Sequence, residues 1–420
     1  MTRRREEVKQ IKTSVGTCSI TDEESMVVTL VKDSDFEEHG QIFQSTGVSI
    51  KSLTLKSSPD ATKEPDWNCE QAKQFSLDIA SLLPNLESVT FHNFGMHSDS
   101  IPIHLLTSMI QTSEARLKSF HLNCVCLLGS HKEIEEWASA IQRQKHLEYF
   151  RISYCGFSTT VPSSCTLHPI IKALSSLPNL KSLELWSYAE GRLGTLRDHS
   201  LSRLLQNSKT LTALHVEGFT LGDEIVSKLA TAIRDNTCLQ KLDLHILKEA
   251  SSGTLKLAKA LRHNNTLQAL EIFLSNSSDA PTADRTSQPQ QTTSGKEFLP
   301  LVARALSSNH NKSLQDLRIH CYQKVTQVEE EAFAQMLETN HTLEFLYLSG
   351  YEGDYRPKIE YFLHWNRRGR RPGVLQQKLC QRVAHKKSSQ IKAKEHGNSE
   401  DYNNHAQRKH KQRQERLNRR

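Results

Sequence analysis

Leu239-Gln240-Lys241-Leu242-Asp243-Leu244 and, 28 residues later, Leu267-Gln268-Ala269-Leu270-Glu271-Ile272 carry one pattern: aliphatic, two variable residues, aliphatic, one variable residue, aliphatic. The alternation in its second half has the period of two that marks a strand with one buried face. Upstream the pattern returns as Leu211-Leu214-Val216, Leu180-Leu183-Leu185, Leu147-Phe150-Ile152, Leu117-Phe120-Leu122, Leu86-Val89-Phe91 and Ile50-Leu53-Leu55. Downstream it returns as Leu314-Leu317-Ile319 and Leu343-Leu346-Leu348. Successive first positions are 36, 31, 30, 33, 31, 28, 28, 47 and 29 residues apart, a phase that chance does not keep and that marks an internal repeat.

A polar pair leads into most strands: Pro84-Asn85, Pro178-Asn179, Lys209-Thr210, Asn265-Thr266, Lys312-Ser313 and His341-Thr342. Between strands, apolar residues fall at helical spacing, as in Val226, Leu229, Ala230 and Ile233, or Leu257, Ala258 and Leu261, or Phe298, Leu301, Val302 and Leu306, or Phe333, Met336 and Leu337. Each unit therefore reads as strand, loop, helix, turn. One strand and one helix cannot bury a face alone, but stacked units bury the aliphatics of every repeat between sheet and helices. Parallel strands stack about 4.8 Å apart whereas helices need about 10 Å between axes, so the array is expected to curve into a horseshoe with the sheet inside.

The pattern resembles the leucine-rich repeat family, in the long class of 28 to 29 residues typified by ribonuclease inhibitor, over residues 48 to 366. The resemblance implies an α/β solenoid of about ten repeats with a parallel inner sheet and outer helices. The family usually has Asn or Cys at the eighth position of the pattern. Here only Cys155 fits, the others being Ser58, Phe94, Val125, Tyr188, Phe219, Leu247, Ser275, Tyr322 and Tyr351. The loops after the strands are thus expected to be packed by apolar and aromatic residues and to vary between repeats.

The chain has 420 residues, 36% of them hydrophobic and 24% charged, a composition that folds but leaves room for polar segments. Nine scattered cysteines without a CxxC pair point to free thiols in a reducing compartment, the cytoplasm or the nucleus. Cys124 and Cys126 straddle a strand end and read as core thiols. No secretory leader and no apolar run of membrane-spanning length is read in the chain. The net charge of +7 is uneven: residues 367–420 hold 17 Lys+Arg against four acids, whereas the rest is acidic by six charges. Basic clusters at Lys386-Lys387, Lys392 to Lys394 and Arg408 to Arg413 make 367–420 a disordered basic tail, the only part suited to importins or nucleic acid.

Residues 1–47 read as an N-terminal segment and cap, with the strand-like Met26 to Val31 followed by Phe36, Ile42 and Phe43. At the other end Ile359 to Arg370 reads as an amphipathic helix closed by glycine, similar to the terminal cap of large intracellular repeat families of algae and protists. Residues 276–296 hold no aliphatic and read as a disordered insert. Asn264-Asn265-Thr266, Asn276-Ser277-Ser278 and Asn311-Lys312-Ser313 match the glycosylation acceptor pattern, which a chain without a leader does not use.

No phosphate loop, HExxH, GxSxG or Cys/His set at metal spacing is present, so no enzyme, cofactor or metal is expected. The residues flanking the second and third aliphatics point away from the core, onto the concave face. One column reads Thr54, Thr90, His121, Arg151, Glu184, His215, Asp243, Glu271, Arg318, Tyr347; the next reads Lys56, His92, Asn123, Ser153, Trp186, Glu217, His245, Phe273, His320, Ser349. The expected partner site is Glu184, Trp186, His215, Glu217, Asp243, His245, Glu271 and Phe273, with aromatic anchors and charge converging from adjacent strands. Its carboxylates favour a basic segment of a protein partner, and its histidines are expected to gain charge, and weaken that attraction, as pH falls toward about 6.5. The function that follows is a monomeric, non-catalytic scaffold that binds protein on its concave face and no membrane. A Ran-type GTPase activator shares the repeat class but leaves no motif here, and a ubiquitin-ligase substrate adaptor would need F-box helices that residues 1–47 do not show.

Overall fold

A computed structural model describes residues 9–13, 16–22, 25–30, 51–57, 85–93, 100–112, 116–157, 167–187, 196, 199–247, 251–275, 298–307, 311–321, 324–349 and 353–369. The insert 276–296, the tail from residue 370, and Phe36, Ile42 and Phe43 of the expected cap lie outside the described residues. In chain order the elements are β1 (Lys9–Thr13), β2 (Gly16–Asp22), β3 (Ser25–Leu30), β4 (Ser52–Ser57), β5 (Ser88–His92), β6 (Ser100–Pro102), α1 (Ile103–Thr112), β7 (Ser119–Asn123), β8 (Cys126–Leu128), α2 (His131–Arg143), β9 (Tyr149–Ser153), β10 (Gly156–Phe157) and α3 (His168–Leu174). They continue as β11 (Ser182–Trp186), α4 (Ser200–Asn207), β12 (Ala213–Leu221), α5 (Asp223–Asp235), β13 (Lys241–Leu247), α6 (Ser251–His263), β14 (Ala269–Ser275), α7 (Phe298–Ser307), β15 (Asp316–Cys321), α8 (Gln327–Thr339), β16 (Phe345–Leu348) and α9 (Arg356–Arg367).

Every strand set by the repeat pattern joins one thirteen-stranded sheet, in the order β1-β2-β3-β4-β5-β7-β9-β11-β12-β13-β14-β15-β16. From β3 onward each neighbour is parallel, whereas β1, β2 and β3 form an antiparallel meander at one edge. The register is the pattern itself: Leu183 faces Leu214, Leu214 faces Leu242, Leu242 faces Leu270 and Leu270 faces Leu317. This is the α/β arrangement expected of stacked strand–helix units. All of these aliphatics are at most 1% exposed, and the helices close the core from behind with Trp137, Leu229, Leu261, Val302 and Phe333. In the first half the aliphatic columns carry rings, and Phe120 stacks on Phe150 with centroids 5.8 Å apart beside Trp137. Leu346 departs from the pattern, being only half-buried, because β16 is the last strand and has a neighbour on one side only.

The exits of β7 and β9 are more regular than the sequence implies. Asn93, Cys124 and Tyr154, one at each strand end, all adopt positive φ of 55–63°; two residues after Cys124 and Tyr154 the chain enters β8 and β10, which with β6 form a second parallel sheet. Val125, Cys155 and Phe219 at the eighth pattern position are buried, as their apolar character requires. Cys124 and Cys126 are not core thiols, both being half-buried; among the described residues Cys155 alone of the cysteines is inside, where burial pushes its thiol up to about 12.

The turns that lead into the strands hold a device not apparent from the polar pairs alone. Three residues before the first aliphatic stand Asn236, Asn264, Asn311 and Asn340, all 2–7% exposed. Asn264 Nδ2 donates to the carbonyls of Ile233 (2.7 Å) and Asn236 (3.2 Å) in the preceding unit, while its Oδ1 accepts the N–H groups of Thr266 (3.0 Å) and Leu267 (2.8 Å). Asn236 and Asn311 repeat both halves of this arrangement, as does Asn340, and Gln144 and Asn366 contribute the donor half in their own units. A side-chain ladder thus satisfies the buried backbone groups at each helix exit and bolts unit to unit. Two of the glycosylation-pattern asparagines, Asn264 and Asn311, are rungs of this ladder and are closed to modification in the folded chain.

Candidate functional site

Strand alternation puts three columns of side chains on the sheet face opposite the helices. The pairing Arg151–Glu184–His215–Asp243–Glu271–Arg318–Tyr347 is continuous across seven strands, as read from the sequence. The outer column is in register for Ser153 and Trp186 with Glu217, and again for His245, Phe273 and His320. Between them β12 shifts register after Val216, at a bulge where Gly218 takes φ +75°. A Cβ there would lie 2.0 Å from the carbonyl oxygen of Ser187, so the bulge requires glycine.

The eight expected site residues do come together, in two cells of like construction. In the first, Trp186 stacks on His215 with centroids 4.3 Å apart, Tyr154 meets the indole edge-on at 5.6 Å, and the Arg151 guanidinium lies 5.6 Å from its ring centre. His215 Nδ1 is 2.6 Å from Asp243 Oδ2 and Nε2 is 3.2 Å from Glu217 Oε2. Arg151 also approaches Glu184 at 3.3 Å. In the second, Phe273 stacks on His320 at 4.2 Å and meets His245 edge-on at 6.3 Å. His320 Nε2 is 2.7 Å from Glu271 Oε1.

Burial alone would lower the pKa of His215, but its hydrogen bonds to Asp243 and Glu217 and the charges of both outweigh that and raise it to about 9. The bond to His215 in turn holds Glu217 below the usual carboxylate range. His215 is therefore already cationic at neutral pH, which removes it as a switch near 6.5. With a carboxylate on each ring nitrogen both nitrogens carry protons, so the imidazole has no lone pair to act as a general base. The four carboxylates of the expected site are all engaged: Glu184 by Arg151, Glu217 and Asp243 by His215, and Glu271 by His320.

The first half of the face is built differently. Asn123 Nδ2 donates to His92 Nδ1 at 2.7 Å, and Asn123 Oδ1 accepts from Ser153 Oγ at 3.0 Å, which in turn accepts from Arg151 Nε at 3.2 Å. Ser153, expected on the surface, is fully buried in this chain of bonds. Burial first, and then the charge of Lys56, lowers the pKa of His92; burial and Arg151 do the same to His121.

Trp186 and Phe273 are half-buried against their neighbours, and four further aromatic rings are more exposed. Tyr149, Tyr154, Phe345 and Tyr347 are 44%, 40%, 44% and 43% exposed. Tyr149 and Phe345 belong to the third outward column, one residue before the second aliphatic, which the sequence reading left out although the period of two places it on the same face. Among the described residues no group of three or more His, Cys, Asp or Glu is arranged to hold a metal ion. No helix among them is long and apolar enough to cross a membrane.

No family model matches the chain, and no curated protein matches it either. Among solved structures it is similar to actin-binding site 2 of leiomodin-1, at 16% identity and a TM-score of 0.29 over 46% of this chain and 98% of that one. It is likewise similar to the tropomodulin C-terminal domain of Caenorhabditis elegans, at 15% identity and a TM-score of 0.29 over 47% of this chain and 92% of that one. A Bacteroides fragilis protein aligns at 12% identity and a TM-score of 0.35 over 59% of this chain and 68% of that one. At such distances function has to be argued from this chain's own surface.

Proposed function

We propose that the chain is a non-catalytic leucine-rich repeat scaffold of the ribonuclease-inhibitor-like class, a horseshoe that recognises a protein partner on its inner sheet face. The observation that carries this is the placement of exposed aromatics. Of the six large hydrophobic residues that are exposed among the described ones, Tyr149, Phe345 and Tyr347 stand on this one face and Tyr154 stands at its margin. Nothing in the fold needs them there, and Tyr, Trp and Arg in such a setting are the residue types that dominate binding energy at protein interfaces. Glu184, Trp186, His215, Glu217, Asp243, His245, Glu271 and Phe273 form the contact area and its supports, with Trp186 and Phe273 as its aromatic anchors. The site works by shape and complementary charge, with no bond made or broken. The test is affinity purification from a cell extract with wild-type chain and with the double variant Trp186→Ala, Phe273→Ala, followed by mass spectrometry. The expected result is loss of the principal captured protein with the melting temperature nearly unchanged, and full capture by the double variant would place the site elsewhere.

A further inference from the structure

Across β4, β5, β7 and β9 the three outward columns read Ser52, Thr54, Lys56; Ser88, Thr90, His92; Ser119, His121, Asn123; and Tyr149, Arg151, Ser153. Not one carboxylate stands among them, whereas the outward columns of β11 to β15 carry Glu184, Glu217, Asp243, Glu271 and Asp316. The face is therefore polarised along the array. His92 and His121 are each held below the usual imidazole range by burial and, after it, by the cation nearest to each, Lys56 and Arg151. Asn123 donates to Nδ1 of His92, so the ring proton sits on Nε2 and that nitrogen is a donor. Hydroxyls, neutral imidazoles, an amide, Lys56 and Arg151 make a surface of donors whose own columns hold no anion, Glu184 of β11 meeting Arg151 at its edge, and the exposed Tyr149 and Tyr154 border it.

We infer that the β4 to β9 half of the sheet face receives an acidic segment of the protein partner, its carboxylates meeting Lys56, His92, His121 and Arg151 and its apolar groups meeting Tyr149 and Tyr154. This rests on the reading of the face as a protein-binding surface and adds the chemistry of what binds. It also reverses the expectation of a basic segment, since the carboxylates that suggested one are engaged by Arg151, His215 and His320 within the face. Complementary charge of this kind acts chiefly on encounter rate and orientation and weakens with salt.

The probe is a fluorescein-labelled hexaglutamate peptide, read by fluorescence anisotropy on the full chain at low ionic strength. Binding is expected, with at least a tenfold loss in the double variant Lys56→Glu, Arg151→Glu. The charge-matched double variant Lys228→Glu, Lys259→Glu on the exposed side of α5 and α6 is expected to bind within twofold of wild type. Hexaglutamate should also raise the pKa of His121, followed by its imidazole resonances, a readout that does not depend on any variant folding. No binding, equal loss in both double variants, or an unmoved His121 overturns the inference, the last two because they assign the peptide to the basic clusters beyond Lys386. Tighter, Lys56-dependent binding of a six-nucleotide single-stranded DNA overturns it in favour of a nucleic-acid ligand. Because the assay needs no captured partner, its failure is separate from failure of the Trp186, Phe273 test.

Discussion

Asn264→Ala tests whether the asparagine ladder, and not the aliphatic columns alone, holds successive units together. Asn264 is 2% exposed and makes four bonds to backbone: two donated to the carbonyls of Ile233 and Asn236, two accepted from the N–H groups of Thr266 and Leu267. A buried backbone group left without a partner costs about 1–3 kcal/mol, so four would bound the loss at roughly 4–12 kcal/mol. A water entering the space vacated by the amide would restore two or three of the four bonds, leaving one or two groups unpaired and a loss of about 1–6 kcal/mol. The control lies next door: Asn265 is exposed and its amide makes only a 3.5 Å contact with the His263 carbonyl, so Asn265→Ala should stay within about 0.5 kcal/mol of wild type. Urea unfolding of both variants, with midpoint and slope fitted separately, is the assay. A loss at Asn264 below about 1 kcal/mol, or one matched by Asn265→Ala, would show the ladder to be incidental and refute the argument.

Other expectations follow from single residues. Leu242→Ala opens a cavity at a fully buried site in mid-array and should cost about 2–5 kcal/mol by denaturant unfolding, a smaller loss than about 1 kcal/mol contradicting the register. Gly218→Ala places a methyl 2.0 Å from the Ser187 carbonyl on a residue at φ +75°, so its melting temperature should fall, whereas Gly222→Ala, which has open space, should change little. His215 is raised above its ordinary value, so its contribution is fully present below about pH 6.5 and is lost as pH rises through about 9. Unfolding free energy should thus decline between those limits by up to about 3 kcal/mol, and His215→Gln should flatten the decline; an unchanged slope in the variant would sink the assignment.

How much of this was legible differs from layer to layer. The sheet, its parallel order and its register follow from the aliphatic columns because burial on one face imposes a period that survives substitution of Leu by Phe, Ile or Val. The ladder was legible only in part. Asn recurs three places before the first aliphatic in four units, but Gln144 and Ser208 fill the same place elsewhere, so the chemistry persists where the letter does not. The strands β1 and β2 carry no such signal, their residues being mostly polar in a two-stranded edge hairpin. On the face, the period of two says which way Trp186 and His215 point, and it would have found Tyr149 and Phe345 had the third column been read. It says nothing of rotamers, and the stacking of Trp186 on His215 and the capture of both imidazole nitrogens by carboxylates are rotamer-level facts.

Apart from Ser153, which is buried within an outward column, the positions that make the fold and those that make the face do not overlap. Aliphatic columns and ladder residues point inward or along the helix exits, and strand alternation forbids any of them from reaching the outer face. The outward columns are consequently free to change at little cost to the stack, and a solvated face assembled without further constraint would be filled by small hydroxyls and lysines. What stands there instead is a half without carboxylates and a half in which each carboxylate is bonded to a histidine or arginine that is itself stacked on an aromatic ring. Holding such side chains in one arrangement costs rotamer entropy, and partly exposed ion pairs return little of it. A face rigid in this way is suited to binding, since a partner then meets rings and charges that need no further ordering.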